Sequence, residues 1–89
     1  NLAEKKSDEV LQKYPAQPLF YLINGVASNQ LNLPKKAVEV LEAGLDFIID
    51  DNKMEIDFYN QLSKAYTSLN NTARAKTFSD KAKQLETPN

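Results

Sequence analysis

FYLINGVASNQLN at residues 20–32 and FYNQLSKAYTSLN at residues 58–70 are two versions of one sequence unit. Both begin with Phe-Tyr, have alanine in the middle and end with Leu-Asn, and they lie 38 residues apart (58 minus 20). Their apolar positions recur at intervals of three and four residues, which predicts an amphipathic helix. Asn32 closes the first stretch and suits the left-handed conformation that ends many helices, and Asn70 aligns with it. The sequence therefore predicts the same helical unit twice.

Further helical segments surround these two stretches. Pro18 and Pro34 stand where the first turn of a helix tolerates proline, and Thr72 is a candidate N-terminal cap. Upstream, residues 1–15 have apolar side chains at helical spacing and end at a proline. No segment alternates with period two, so the sequence predicts five helices and no strand. Loops of two to four residues would make neighbouring helices antiparallel. The predicted breaks lie near Ala16, Leu33, Asn52 and Asn71.

The region between the two units is predicted to hold an insertion. The third helix is expected to extend from Pro34 through Ile48, and the fourth from about Met54 to Leu69. Four residues more than a 34-residue repeat fall around Asp51 to Glu55. Because a helical turn takes about 3.6 residues, the insertion is expected to add one turn to the third or fourth helix.

The repeated unit resembles the tetratricopeptide repeat, in which two antiparallel helices recur every 34 residues. That family places aromatic and small residues on the first helix and alanines on the second. The positions that match are Tyr21, Gly25, Ala37, Leu41 and Gly44 in the first unit and Tyr59, Leu62, Ser63, Tyr66, Ala75 and Ala82 in the second. Three positions depart from the family pattern, namely Asn24, Ser28 and Ser79.

The resemblance implies an all-α fold in which antiparallel helix-turn-helix repeats stack as a short right-handed α-solenoid. The chain would form one domain, residues 1–89, with about five helices or two and a half repeats. Residues 1–15 would be the last helix of a preceding repeat. Residues 18–51 would be the first full repeat, and residues 56–89 the second, ending in a polar capping helix.

Composition excludes several kinds of function. The formal net charge is -1, so the basic excess typical of a nucleic-acid binder is missing. The sequence has no cysteine and no histidine, which excludes thiol nucleophiles, histidine bases and thiolate metal sites. Its apolar runs are too short to span a membrane. We therefore expect a protein that is not an enzyme, with no cofactor, no nucleic-acid partner and no membrane insertion.

Two charged clusters have simple structural explanations. The acidic residues between positions 46 and 57 do not follow the ligand spacing of a calcium loop. Within them, Asp50 and Asp51 are well placed to cap the helix that follows. The last predicted helix is basic and is expected to expose a solvated outer face. Its cationic residues are Arg74, Lys76, Lys81 and Lys83. No metal site is predicted.

In the tetratricopeptide family the first helix of each repeat lines a concave surface, and the resemblance implies a binding face here. The face would combine Leu19, Leu22, Val26, Asn29 and Gln30 with Asp57, Asn60, Lys64, Thr67 and Ser68. A second apolar stripe on the same helix, Ile23, Ala27 and Leu31, is predicted to face the core. A helix with two apolar faces must bury both or present one to a partner. Whether a partner or an upstream repeat covers the first stripe remains open.

The leading hypothesis is a protein–protein interaction scaffold that binds a protein or peptide along its concave helix face. Two alternatives remain. The chain could be a structural C-terminal cap or self-association segment of a longer repeat protein, forming a homo-oligomer through exposed repeat ends. It could also be the regulatory domain of an enzyme encoded upstream, since it begins at Asn1 and not at a methionine. The sequence does not indicate a compartment.

Overall fold

A computed structural model describes residues 17–86, and within this range the chain forms four α-helices and no strand. The helices are α1 (Pro18–Gln30), α2 (Pro34–Leu45), α3 (Asn52–Ser68) and α4 (Thr72–Glu86). The all-α prediction is therefore confirmed for these residues. The predicted helix in residues 1–15 lies outside the described residues, so the count of five helices stays a prediction.

The two helical hairpins turn through the same backbone geometry. Asn32 and Asn70 follow α1 and α3 with φ angles of 59° and 60°. The N–H groups of the residues after them, Leu33 and Asn71, donate to the carbonyls of Ser28 and Tyr66 at 2.8 and 2.9 Å. This pattern is the Schellman motif, which satisfies the last free carbonyls of a helix. The sequence repeat is thus a repeat of backbone structure, α1–α2 followed by α3–α4.

The linker between the hairpins differs from the prediction. α2 ends at Leu45, about one turn before Ile48, and six residues, 46–51, connect it to α3. The N–H groups after α2 bond to carbonyls three residues earlier, as in Phe47 to Gly44 at 3.0 Å. Asp50 has a φ of 50°, which a right-handed helix cannot contain. The prediction of loops of two to four residues is wrong here, because the linker leaves the helical conformation sooner.

The inserted turn belongs to α3. α3 begins at Asn52, before the predicted Met54, and has 17 residues where α1 has 13. As predicted, Asp51 caps α3, because its carboxylate accepts the N–H of Met54 at 3.0 Å. The predicted cap of α4 is wrong, however. The side chain of Asn71 accepts the N–H of Arg74 at 3.2 Å, and Thr72 lies inside the helix.

The helices pack closely because small residues lie where they meet. α1 packs against α2 and α3, and α3 packs against α2 and α4. Gly44 of α2 is buried, and a Cβ atom there would overlap the Cβ of Tyr21 and lie 2.7 Å from the ring of Phe58. Leu41 and Leu62 are fully buried beside them. The alanines that the repeat pattern places at helix contacts are also buried, namely Ala27, Ala37, Ala65, Ala75 and Ala82.

One predicted core assignment is wrong. Ile23, expected in the core stripe of α1, is 46% exposed, whereas Asn24 and Ser28 are fully buried. The buried arc of α1 follows Asn24, Ser28 and Gly25, and successive side chains of a helix point about 100° apart. Ile23 therefore points away from the core. The hydroxyl of Ser28 donates to the Asn24 side-chain oxygen at 3.3 Å, which lets two polar groups stay buried.

Candidate functional site

The first helices of the two hairpins, α1 and α3, lie side by side. The side-chain amide of Asn29 donates to the backbone oxygen of Gln61 at 3.0 Å and to its Oε1 at 2.8 Å. This pair joins the middle of α3 to the last turn of α1. Because the two helices touch there, candidate residues from both can belong to one face. We call this surface the α1–α3 face, formed by Leu19, Val26 and Gln30 of α1 and Asp57, Asn60 and Lys64 of α3.

The α1 half of this face is apolar. Leu19 is 48% exposed, Val26 is half-buried and Gln30 is exposed. Leu22, predicted to line the face, is half-buried and packs against the core, so it offers less surface to a partner. α1 contains no Asp, Glu, Lys or Arg between Pro18 and Gln30, unlike the three other helices of residues 17–86. A helix without charge usually has protein on most of its sides.

The α3 half is polar and charged. Asp57, Asn60, Lys64 and Thr67 are all exposed, as is Ser68. The hydroxyl of Thr67 donates to the carbonyl of Ser63 at 2.9 Å, so its hydrogen of strongest polarity is already used within the helix. The free polar groups of this half are therefore the Asp57 carboxylate, the Asn60 amide and the Lys64 ammonium, of which two carry opposite charges.

Two residues of this region have roles that the sequence did not reveal. Asn29 was predicted to contact a partner, but its amide joins α1 to α3 and its side chain is half-buried. Ile23 was not a candidate, yet it is one of the most exposed large apolar residues of α1. The signal was present in the repeat alignment, because Ile23 takes the place of Gln61 (23 plus 38), and Gln61 is a contact residue between helices.

The perturbed tyrosines support the packing of α3 and not a reaction. Burial and the nearby carboxylate of Glu55 raise the pKa of Tyr59 to about 12, and the Tyr59 hydroxyl donates to Glu55 Oε2 at 2.7 Å. Burial and Glu42 likewise raise the pKa of Tyr66, although Arg74 above its ring opposes the shift. Both phenols remain protonated near neutral pH. Neither lies on the α1–α3 face, so these pKa shifts provide no acid or base for a substrate there.

The basic residues of α4 lie on an exposed surface. Arg74, Lys76, Lys81 and Lys83 are all exposed. Lys76 pairs with Asp80 at 3.0 Å, and the Lys81 ammonium lies 5.6 Å from the ring centre of Phe78. Exposed contacts of this kind contribute little to stability. This arrangement agrees with the predicted solvated outer face of α4.

Neither metal chemistry nor membrane insertion has structural support in the described part of the chain. Residues 17–86 contain no group of three or more His, Cys, Asp or Glu side chains arranged to hold a metal ion. Among the same residues, no helix is both long enough and apolar enough to cross a bilayer.

Comparison with known proteins gives no match, because no family model, no curated protein and no solved structure matches this chain. A proposal about function therefore depends on the α1–α3 face itself.

Proposed function

We propose that this chain is a protein-interaction module of the tetratricopeptide type, which binds a protein or peptide along the α1–α3 face and performs no catalysis. Support for the repeat type comes from the two hairpins, whose turns share φ angles and hydrogen bonds at a 38-residue offset. The buried small residues at Gly25, Gly44 and Ala82 also agree with the family pattern. Stacked hairpins of this kind would form the short solenoid that the sequence predicts.

One observation carries the functional proposal: an uncharged helix with exposed apolar side chains lies beside a charged helix on the same face. Apolar groups provide most of the free energy of association, and charged groups at the rim provide orientation and selectivity. Leu19 and Val26 would contact apolar side chains of the partner. Asp57 and Lys64, seven residues apart on α3, would select opposite charges in the partner at the matching distance.

The test uses the longest available form of the protein with two substitutions on the face, Leu19→Glu and Lys64→Glu. Both residues are exposed, so the helix content measured by circular dichroism should not change. Proteins retained by the parent and by the variant would be compared by quantitative pull-down. The proposal predicts that the variant loses the retained partners, because it places one carboxylate in the apolar half and reverses a charge in the polar half.

A matched control separates this effect from a general effect of charge. Ala43→Glu and Lys35→Glu make the same change in net charge on exposed positions of α2, away from the face. The control should retain the partners of the parent protein. Retention of the same partners by the Leu19→Glu/Lys64→Glu variant, with its fold intact, would show that the α1–α3 face is not the binding site.

A further inference from the structure

An apolar stripe on α1 lies at the edge of the α1–α3 face and has no partner among residues 17–86. Leu19 and Ile23 are 48% and 46% exposed, and Val26 is half-buried between them and the core. At 3.6 residues per turn these three side chains fall within an arc of about 60° on the helix. We call these three residues the α1 stripe. It continues the apolar half of the proposed binding face toward the side of α1 opposite α3.

The repeat itself indicates what kind of element covers such a stripe. Ile23 occupies the position of Gln61, and on α3 that position is covered by a first helix, α1, through Asn29. Within the described residues, the internal interface therefore shows a first helix packed at this position. A second first helix at Ile23 would continue the interface that α1 and α3 already form. The apolar side chain at Ile23 suits a contact that excludes water better than the amide of Gln61 does.

We propose that the α1 stripe is a self-association surface, and that its occupant is α1 of a second copy of this chain. The inference rests on the proposed function, since it names the partner of the apolar half of the same face. Two copies can approach along α1 without repulsion, because this helix has no charged side chain and the chain has a net charge of only -1. A two-fold interface must be self-complementary, and an apolar stripe meets this condition.

The order of the stripe residues and the helix dipole indicate an antiparallel pair. In that arrangement Leu19 of one copy meets Val26 of the other, and the two Ile23 side chains meet near the two-fold axis. α1 has no acidic residue in its first turn and no basic residue in its last turn, so no side chain balances its dipole. An antiparallel neighbour places opposite partial charges side by side, whereas a parallel neighbour places like charges together.

Sedimentation equilibrium of the 89-residue chain tests the association. A helix pair buries less area than most stable dimers, so the mass should rise from monomer to dimer between about 10 µM and about 1 mM. Ile23→Lys should keep the chain monomeric, because it places two ammonium groups together at the two-fold axis. Ile49→Lys is the matched control, with the same chemical change at a linker residue that is 82% exposed, and it should associate as the parent does.

Cysteine cross-linking tests the geometry, and the absence of native cysteine makes each introduced thiol unique. Ile23→Cys should cross-link to itself with a short bismaleimide, and a mixture of Leu19→Cys with Val26→Cys should cross-link between the two variants. Leu19→Cys alone should cross-link poorly, since its antiparallel counterparts lie about 10 Å apart along the helix axis. Efficient cross-linking of Leu19→Cys to itself would overturn the antiparallel pairing.

A parent chain that remains monomeric to about 1 mM would overturn the inference, as would an Ile23→Lys variant that associates normally. Either result leaves the proposed function to its own test, the comparison of retained partners for the Leu19→Glu/Lys64→Glu variant. Conversely, a chain that dimerises through Ile23 but retains its other partners after those two substitutions would support the inference and contradict the proposed binding face.

Discussion

α1 and α3 occupy equivalent places in two copies of one hairpin, but their side chains differ in opposite ways inside and outside. Inside, α1 buries Asn24 and Ser28 where α3 buries Leu62 and Tyr66. Outside, α1 exposes Leu19 where α3 exposes Asp57. The backbone turns of the two hairpins nevertheless have the same hydrogen bonds. The turn residues and the small contact residues therefore define the repeat, and the remaining positions are free to differ in surface chemistry.

The largest expected effect comes from exchanging the buried residues. Leu62→Asn should lower the free energy of unfolding by about 3–5 kcal/mol, because it removes a fully buried apolar side chain and buries an amide without a partner. Asn24→Leu should cost less than about 1.5 kcal/mol, since the Ser28 hydroxyl can bond the carbonyl four residues earlier. Urea unfolding of both variants measures the difference. Equal losses would mean that the two positions are not equivalent in environment.

The second comparison concerns small residues on α2 and α4. Gly44→Ala should lower stability by about 1–3 kcal/mol, because the new methyl group overlaps Tyr21 and lies 2.7 Å from Phe58. The equivalent position of the second hairpin is Ala82, which is only 2% exposed and already holds a methyl group. Ala82→Gly should cost about 1 kcal/mol through backbone entropy. If Gly44→Ala were neutral in a thermal melt, the close approach of α1, α2 and α3 would be wrong.

The third comparison breaks the contact between the two first helices. Asn29→Ala and Gln61→Ala each remove a side chain of the amide pair. A double-mutant cycle should give a coupling energy of about 0.5–1.5 kcal/mol, the usual contribution of a partly buried hydrogen bond. The cycle counts only the bond to Oε1, because the bond to the Gln61 backbone oxygen survives Gln61→Ala. Strict additivity of the two losses would show that the pair does not form in solution.

The smallest effect is a dependence of stability on alkaline pH. The folded chain raises the pKa of Tyr59 from 10.0 to about 12 through burial and Glu55. The folded state therefore holds this proton more tightly, and the resulting stability is present below pH 10 and is lost as the pH rises to about 12. Tyr59→Phe should flatten the fall of the thermal midpoint in this range. Identical slopes for parent and variant would contradict the buried hydrogen bond to Glu55.

The sequence predicted what depends on local chemistry. Pro18 and Pro34 begin helices, Asn32 takes the left-handed turn and Asp51 caps α3, because each of these roles depends on one residue and its near neighbours. The linker was mispredicted because the apolar residues Phe47 and Ile48 continue a helical spacing after the helix has ended. Phe47 instead packs its ring 5.5 Å from that of Tyr21, a contact between distant residues.

The candidate face was predicted in part, and its errors have one cause. Leu22 and Ile23 are adjacent apolar residues, and periodicity alone assigned Leu22 to the surface and Ile23 to the core. The structure reverses their exposure, because the core side of α1 is marked by the polar residues Asn24 and Ser28. Polar residues hydrogen-bonded to each other can take a core position, and a pattern based on hydrophobicity cannot recognise this.

The most direct test of the binding face is a hydrogen-exchange footprint with a retained partner. Amide exchange would be measured by mass spectrometry for the longest available form of the protein, alone and bound to a partner captured by the parent chain. We expect slower exchange on binding in peptides from α1 and α3, around Leu19 to Gln30 and Asp57 to Lys64, with little change in α2 and α4. Protection confined to α2 or α4 would contradict the account.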